Sequence, residues 1–254
     1  MGTSSGVRIH VDQVEVGDRP VRFRWTGQGP PVVLVHGLAG TWRWWERCLP
    51  DLARRHTVYA VDLPGFGAQR GARFSLAAAP AFLAAWMDAA GVGPAAFVGH
   101  SMGGVACLRL AAAEPARVTR LVLVAPAVDL RSSLLGYAVP LARAAVTMRP
   151  TFTAMVALEA MRGGLVALGR TAAELVGDSA VDGDLAAIRT PTLIVWGTLD
   201  PIVPPATAEA LRARLPGARV HLLPAGHVPM VDVPGAFASA VLAHLDGRAP
   251  PGPD

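Results

Sequence analysis

The sequence predicts an α/β fold: an eight-stranded, mostly parallel sheet with helices on both faces and a helical lid inserted after strand 6. Three observations carry that expectation. Short β-branched runs alternate with longer alanine-rich stretches along the 254 residues. Several of those runs are continuously apolar, as suits strands buried on both faces of a parallel sheet. The alternation then stops once, for about sixty residues, where an ordinary connection takes ~2–6. A chain of this length suits one domain with a single large core.

Runs 8–16 and 21–26 alternate apolar and polar residues across Gly17-Asp18-Arg19-Pro20, which reads as an antiparallel hairpin at a sheet edge. Further strands are expected at 31–36, 57–62, 96–100, 120–125, 192–197 and 219–223. Helices are expected at 44–55, 76–90, 102–114, 206–215 and 234–245, most of them closed by glycine or proline. Right-handed crossovers wind these units into one sheet. Between 128 and 187 there are only helical pieces, broken by Gly136, Pro140, Pro150, Gly163-Gly164, Gly169 and Gly177. A lid over the carboxyl ends of the strands is the economical account. The expected division is a core of 1–127 and 188–246, a lid of 128–187, and a disordered proline- and glycine-rich tail of 247–254.

The composition narrows the function classes. Apolar residues make up 52% of the chain and the mean hydropathy is +0.39, much of it alanine. No apolar run approaches the ~18–20 residues of a spanning helix, and the richest, 104–113, contains Arg109, so no stable membrane insertion is expected. The first six residues carry neither a charged lead nor an apolar stretch, which reads as no secretory signal and a cytoplasmic location. All 23 basic residues are arginine, scattered through a chain of net charge +4, and make no footprint for nucleic acid. Cys48 and Cys107 form neither a metal spacing nor a disulfide framework, as fits thiols in a reducing compartment. The pattern says nothing of oligomeric state.

Gly99-His100-Ser101-Met102-Gly103 is the motif that carries chemistry. Gly-x-Ser-x-Gly occurs often by chance, and gains meaning when it follows a strand and opens a helix, as here. Such a turn projects the serine hydroxyl at the strand's carboxyl end, and its glycines remove side chains that would collide with neighbouring elements. The helix N-terminus adds partial positive charge near the reacting oxygen. Ser101 is therefore the candidate nucleophile.

A serine nucleophile needs a histidine base, and the histidine a carboxylate that fixes its tautomer. After such a turn the expected chain order is serine, acid, histidine. Downstream of Ser101 lie His221, inside the last strand-like run, His244, on the last helix, and His227, in the loop Pro224-Ala225-Gly226-His227-Val228-Pro229. An exposed base belongs in a loop, so His227 is the candidate. Asp200 follows the 192–197 strand in Gly197-Thr198-Leu199-Asp200-Pro201 and is the candidate acid, with Asp129 the alternative. Asp232 is read as a cap of the last helix, ahead of Pro234.

Acyl transfer places negative charge on a carbonyl oxygen, and two backbone N–H groups normally receive it. Met102, after the nucleophile, and Leu38, in His36-Gly37-Leu38-Ala39-Gly40, are the candidate donors. His36 and Asp62 are read as loop-organising residues, and Trp45 as core. Trp42, Trp44, Tyr137, Phe152, Met155 and Val228 are the candidate substrate-contacting residues, with Met161 and Met230 nearby in sequence.

These marks, His36-Gly37-x-x-Gly40-Thr41, Asp62-Leu63-Pro64-Gly65-x-Gly67, Gly99–Gly104, the Asp200 loop and Gly226-His227, resemble the α/β-hydrolase superfamily, specifically its smaller lidded serine esterases and lipases. They span about 21–245. The resemblance implies cleavage of carboxylic esters with short to medium apolar acyl groups through an acyl-enzyme on Ser101, with no metal or organic cofactor and a small-molecule ester as partner. Haloalkane dehalogenases and epoxide hydrolases place aspartate where this chain has Ser101, and epoxide hydrolases use two lid tyrosines where this lid offers Tyr137. Carbon–carbon bond hydrolases usually carry a tryptophan near the histidine that His227 matches. Thioesterases, lactonases, perhydrolases and acyltransferases use the same triad, and a non-catalytic ligand receptor is the alternative of a different class.

Overall fold

The computed structural model describes residues 7–69, 71–128, 150–177 and 185–251. Eight strands form one sheet: β1 (His10–Val16), β2 (Arg19–Thr26), β3 (Pro31–Val35), β4 (Thr57–Val61), β5 (Ala95–His100), β6 (Val118–Val124), β7 (Thr192–Gly197) and β8 (Arg219–Leu223). Their order is β1-β2-β4-β3-β5-β6-β7-β8. The hairpin β1–β2 is antiparallel, as is β2–β4, and every other pairing is parallel. The chain passes from β3 to β4 on one side and returns to β5 on the other. That reversal opens a crevice at the carboxyl ends of the strands, where ligands bind in open α/β sheets.

Burial explains the sequence pattern. Val32–Val35, Leu121–Val124 and Leu193–Trp196 are all fully buried, because helices cover both faces of the central strands. Alternate residues face opposite layers. Val33, Val35, Phe97, Leu123 and Trp196 pack with α2 (Ala79–Ala89) and α3 (Met102–Ala113). Val32, Leu34, Val98, Val122 and Val195 pack with Trp45, α1 (Leu49–Leu52) and α8 (Pro234–Leu245). In the first strand only His10, Val14 and Val16 are half-buried and the rest is exposed, as suits an edge.

One expected helix divides. In place of a single helix over 44–55 the chain makes a 3₁₀ turn at Trp42–Trp45 and then α1. Thr41 Oγ1 accepts the Arg43 N–H at 3.3 Å and starts the first piece. Pro50 lacks an N–H and disfavours helical geometry in the residue before it, so it can only open a new helix. The same rule moves the start of α2 from 76 to Ala79, with proline in its first turn.

The segment between β6 and β7 contains α4 (Pro150–Gly163) and α5 (Leu165–Gly177), followed by a 3₁₀ turn at Leu185–Ala187. Phe152 joins the layer of Trp44 and Trp45, and Leu175 joins the opposite layer. Glu174 Oε2 accepts the Leu76 N–H at 3.0 Å, tying α5 to the chain before α2. After β7 come α6 (Ala206–Arg214), α7 (Pro229–Asp232) and α8. No helix among the described residues is long and apolar enough to cross a membrane.

Candidate active site

Ser101 stands where β5 hands over to α3, with φ 50° and ψ −116°. A side chain with positive φ costs about 1–3 kcal/mol and persists only where its surroundings over-determine it. Here they do. The Ser101 N–H donates to Val124 O at 2.9 Å, and its carbonyl accepts from Val105 and Ala127 N–H, each at 3.2 Å. Gly103 lies under the end of β3: a Cβ there would sit 2.4 Å from the carbonyl oxygens of both Val35 and His36. The residue type at 103 is therefore dictated by close backbone approach.

The loops after β7 and β8 are laced together. Thr198 N–H donates to Leu223 O at 2.8 Å and Leu199 N–H to Ala225 O at 3.0 Å. Trp196 Nε1–H donates to Val203 O at 3.0 Å, closing the Asp200 loop from below. As a result Asp200 Oδ2 meets His227 Nδ1 at 2.7 Å, with both side chains buried. The other carboxylate oxygen, Oδ1, accepts the Ile202 and Val203 N–H groups at 2.8 and 3.0 Å. These bonds aim the carboxylate at Nδ1, which makes Nδ1–H the donor and leaves Nε2 as the ring's acceptor.

His100 joins these parts, a role the sequence reasoning did not assign. Its Nε2–H donates to the His227 carbonyl at 2.8 Å, and the two rings meet edge to face at 4.8 Å. Trp44 packs on its other side at 5.3 Å, and Phe152 of α4 packs on Trp44 at 5.2 Å. Burial, with His227 adding to it, holds the His100 pKa well below 6.5, so the ring is neutral. The available signal was a polar ring at the last position of a strand whose other residues are all apolar or small.

The loop after β3 approaches Ser101 closely; a Cβ on Gly37 would lie 3.1 Å from Ser101 Cβ. His36 braces this loop. Its Nε2 accepts the Leu63 N–H at 3.0 Å while Nδ1–H donates to Gly37 O at 2.8 Å. Asp62 organises the next loop, accepting the Trp42 N–H at 2.9 Å and the Ala68 N–H at 3.0 Å, with Arg24 3.7 Å away. Among the described residues, no backbone carbonyl accepts from the N–H of Leu38 or Met102.

Of the expected substrate-contacting residues, Trp44, Phe152 and Val228 are buried in one apolar layer, and Trp42 and Met155 pack against it. The Arg24 guanidinium lies 4.4 Å over the Trp42 ring. Tyr137 and the alternative acid Asp129 lie outside the described residues. Asp232 does not cap α8, whose preceding residue is Val233. It accepts the Gly226 N–H at 2.9 Å instead and so fixes the turn that carries His227. Among the described residues, no group of three or more His, Cys, Asp or Glu is placed to hold a metal ion. Cys48 and Cys107 are unpaired and buried, and burial pushes the Cys48 thiol up to about 12.

A cavity of about 260 Å³ adjoins the β3 loop at Ala39 and is lined by residues 65–66 and 71–74 and by α4 and α5. Among the described residues, neither Ser101, His227 nor any of the expected substrate-contacting residues lines it.

Residues 32–240 match the model of the alpha/beta hydrolase family. The chain belongs to that family. It is 32% identical over 252 residues to the dihydrolipoyllysine-residue acetyltransferase component of an acetoin cleaving system from Cupriavidus necator, covering 89% of this chain and 67% of that one. It is 31% identical over 250 residues to a pimeloyl-[acyl-carrier protein] methyl ester esterase from Chromobacterium violaceum, covering 88% and 97%. A solved hydrolase from Pseudomonas aeruginosa superposes with a TM-score of 0.75 at 26% identity, covering 96% and 99%.

Proposed function

We propose that this alpha/beta hydrolase cleaves carboxylic esters with short to medium acyl groups through an acyl-enzyme on Ser101. The observation that carries the reading is the buried Asp200–His227 pair, at 2.7 Å, tied through the His227 carbonyl at 2.8 Å to His100, the residue before a serine with positive φ. His227 Nε2 takes the Ser101 proton as Oγ attacks the ester carbonyl, and Asp200 stabilises the imidazolium that forms. The Leu38 and Met102 N–H groups receive the oxyanion, with the N-terminus of α3 adding to the field. The alcohol leaves with the proton from His227. Water, deprotonated by the same histidine, then attacks the acyl carbon and releases the acid. The segment 128–187 serves as the lid on a core of 1–127 and 188–246. Trp44, Phe152 and Val228 shape the apolar wall of the site, with Trp42 and Met155 packed against it.

The ester-cleaving name of the Chromobacterium violaceum relative supports this class of reaction. The test is a panel of nitrophenyl esters of rising chain length, run with the wild type and Ser101→Ala, beside labelling by a fluorophosphonate. Turnover and labelling that both vanish in Ser101→Ala are expected. A wild type that turns over none of the esters and takes up no label refutes the reading.

A further inference from the structure

The cavity beside Ala39 is lined by apolar and charged side chains together. Phe66 and Phe74, in edge-to-face contact at 5.8 Å, make one wall, and Leu168 of α5 belongs to another. At roughly 30 Å³ per heavy atom, about 260 Å³ holds a linear chain of roughly eight atoms. Three ionisable side chains line it: Arg73, Glu159 and Arg170. Glu159 is already matched by Arg162 at 3.1 Å. Glu174, one turn beyond Arg170, has its carboxylate on the Leu76 N–H. Arg73 and Arg170 are exposed, come from separate segments, and form no ion pair with any described residue. Two guanidinium groups that pair with no described residue, lining a cavity with Phe66, Phe74 and Leu168, make a receptor for a chain that ends in an oxyanion, which a guanidinium grips with paired N–H donors.

We infer that this cavity is the acyl subsite, and that Arg73 and Arg170 receive a carboxylate or phosphate at the far end of the acyl chain. The cavity reaches the β3 loop at Ala39, the residue after Leu38, whose N–H is one of the two proposed oxyanion donors. The inference rests on the ester-hydrolase reading of Ser101. It adds a preference for anionic acyl groups over neutral ones of equal length.

The test compares monomethyl adipate, methyl 6-(phosphonooxy)hexanoate and methyl hexanoate, with released acid titrated in the wild type and in Arg73→Gln/Arg170→Gln. One charged ester is expected to exceed methyl hexanoate in kcat/KM by about tenfold at low salt. That ratio should shrink at high salt, because exposed charges are screened. The double glutamine variant should bring it close to one, and lysine at both positions should restore part of it. Whichever charged ester gives the larger ratio identifies the anion. In parallel, calorimetry measures binding of the two charged esters to Ser101→Ala with and without the two arginines. Arginine-dependent binding without turnover keeps the subsite and removes ester hydrolysis. Turnover of all three esters at equal kcat/KM, unchanged in the double variant, removes the subsite and keeps ester hydrolysis.

Discussion

Replacing Ser101 by glycine should make the protein more stable than replacing it by alanine. Alanine removes the hydroxyl but keeps a Cβ at φ 50° and ψ −116°. Glycine removes both. The three backbone hydrogen bonds at this residue, to Val124 and from Val105 and Ala127, are available to either variant. The strain released is about 1–3 kcal/mol. Against it stands the greater freedom of glycine in the unfolded chain, about 0.4–1 kcal/mol. The net expectation is Ser101→Gly more stable than Ser101→Ala by about 1 kcal/mol. For a chain of this size that is roughly 2–4 °C in Tm. Urea unfolding of both variants, compared at equal m-value, measures the difference. A glycine variant less stable than the alanine variant would refute the strain argument, and with it the claim that the sheet holds residue 101 in an unfavourable conformation.

Three further outcomes follow from the geometry. Asp200→Asn should lower kcat by about 10⁴-fold while leaving the fold intact, because the amide favours the wrong tautomer of His227; a larger loss from Asp129→Asn in steady-state assays would relocate the acid. Gly103→Ala places a Cβ 2.4 Å from two carbonyl oxygens, so it should destabilise by about 1–3 kcal/mol or more and displace the Leu38 loop. Calorimetric unfolding beside an activity assay reads both effects. Stability should also fall with acidity through His244. Burial lowers its folded pKa to about 4, against an unfolded value near 6.5. Its contribution is fully present above about pH 6.5 and is lost as the pH falls toward 4, with a slope of at most about 1.4 kcal/mol per pH unit. His244→Gln should flatten unfolding free energies measured between pH 7 and 5, and an unchanged slope would count against it.

The sheet was legible in the sequence because burial on both faces writes itself as uninterrupted apolar runs. Thr192–Gly197 and Arg219–Leu223 match their expected bounds residue for residue. The expected helix over 44–55 failed where Pro50 outweighed apolar spacing. Asp232 was misread for a related reason: Pro234 suggested a cap, whereas the backbone group its carboxylate meets is Gly226, behind it in the chain. Ser101, Asp200 and His227 could be placed because each follows a strand, and the end of a strand is a local property. The cavity could not be placed. It joins residues 65–74 to residues 159–171, and no local pattern relates segments nearly a hundred residues apart. His100 was overlooked because its partner is a main-chain carbonyl 127 positions away.

The ties at Ser101 also order the folding of the molecule. Its N–H bonds to β6, Gly103 two residues on fits against the end of β3, and both contacts presuppose β5 lying between those strands. None of these pairings is local, since each parallel neighbour is separated from the next by a crossover, and contacts of that kind form late and slowly. The positive φ of residue 101 therefore has no support until three neighbouring strands, each joined to the next through a crossover, have met. An incompletely folded chain presents an ordinary, relaxed serine. During refolding from urea, labelling of Ser101 by a fluorophosphonate should appear together with the native sheet and never ahead of it, so the nucleophile itself reports the last step of assembly.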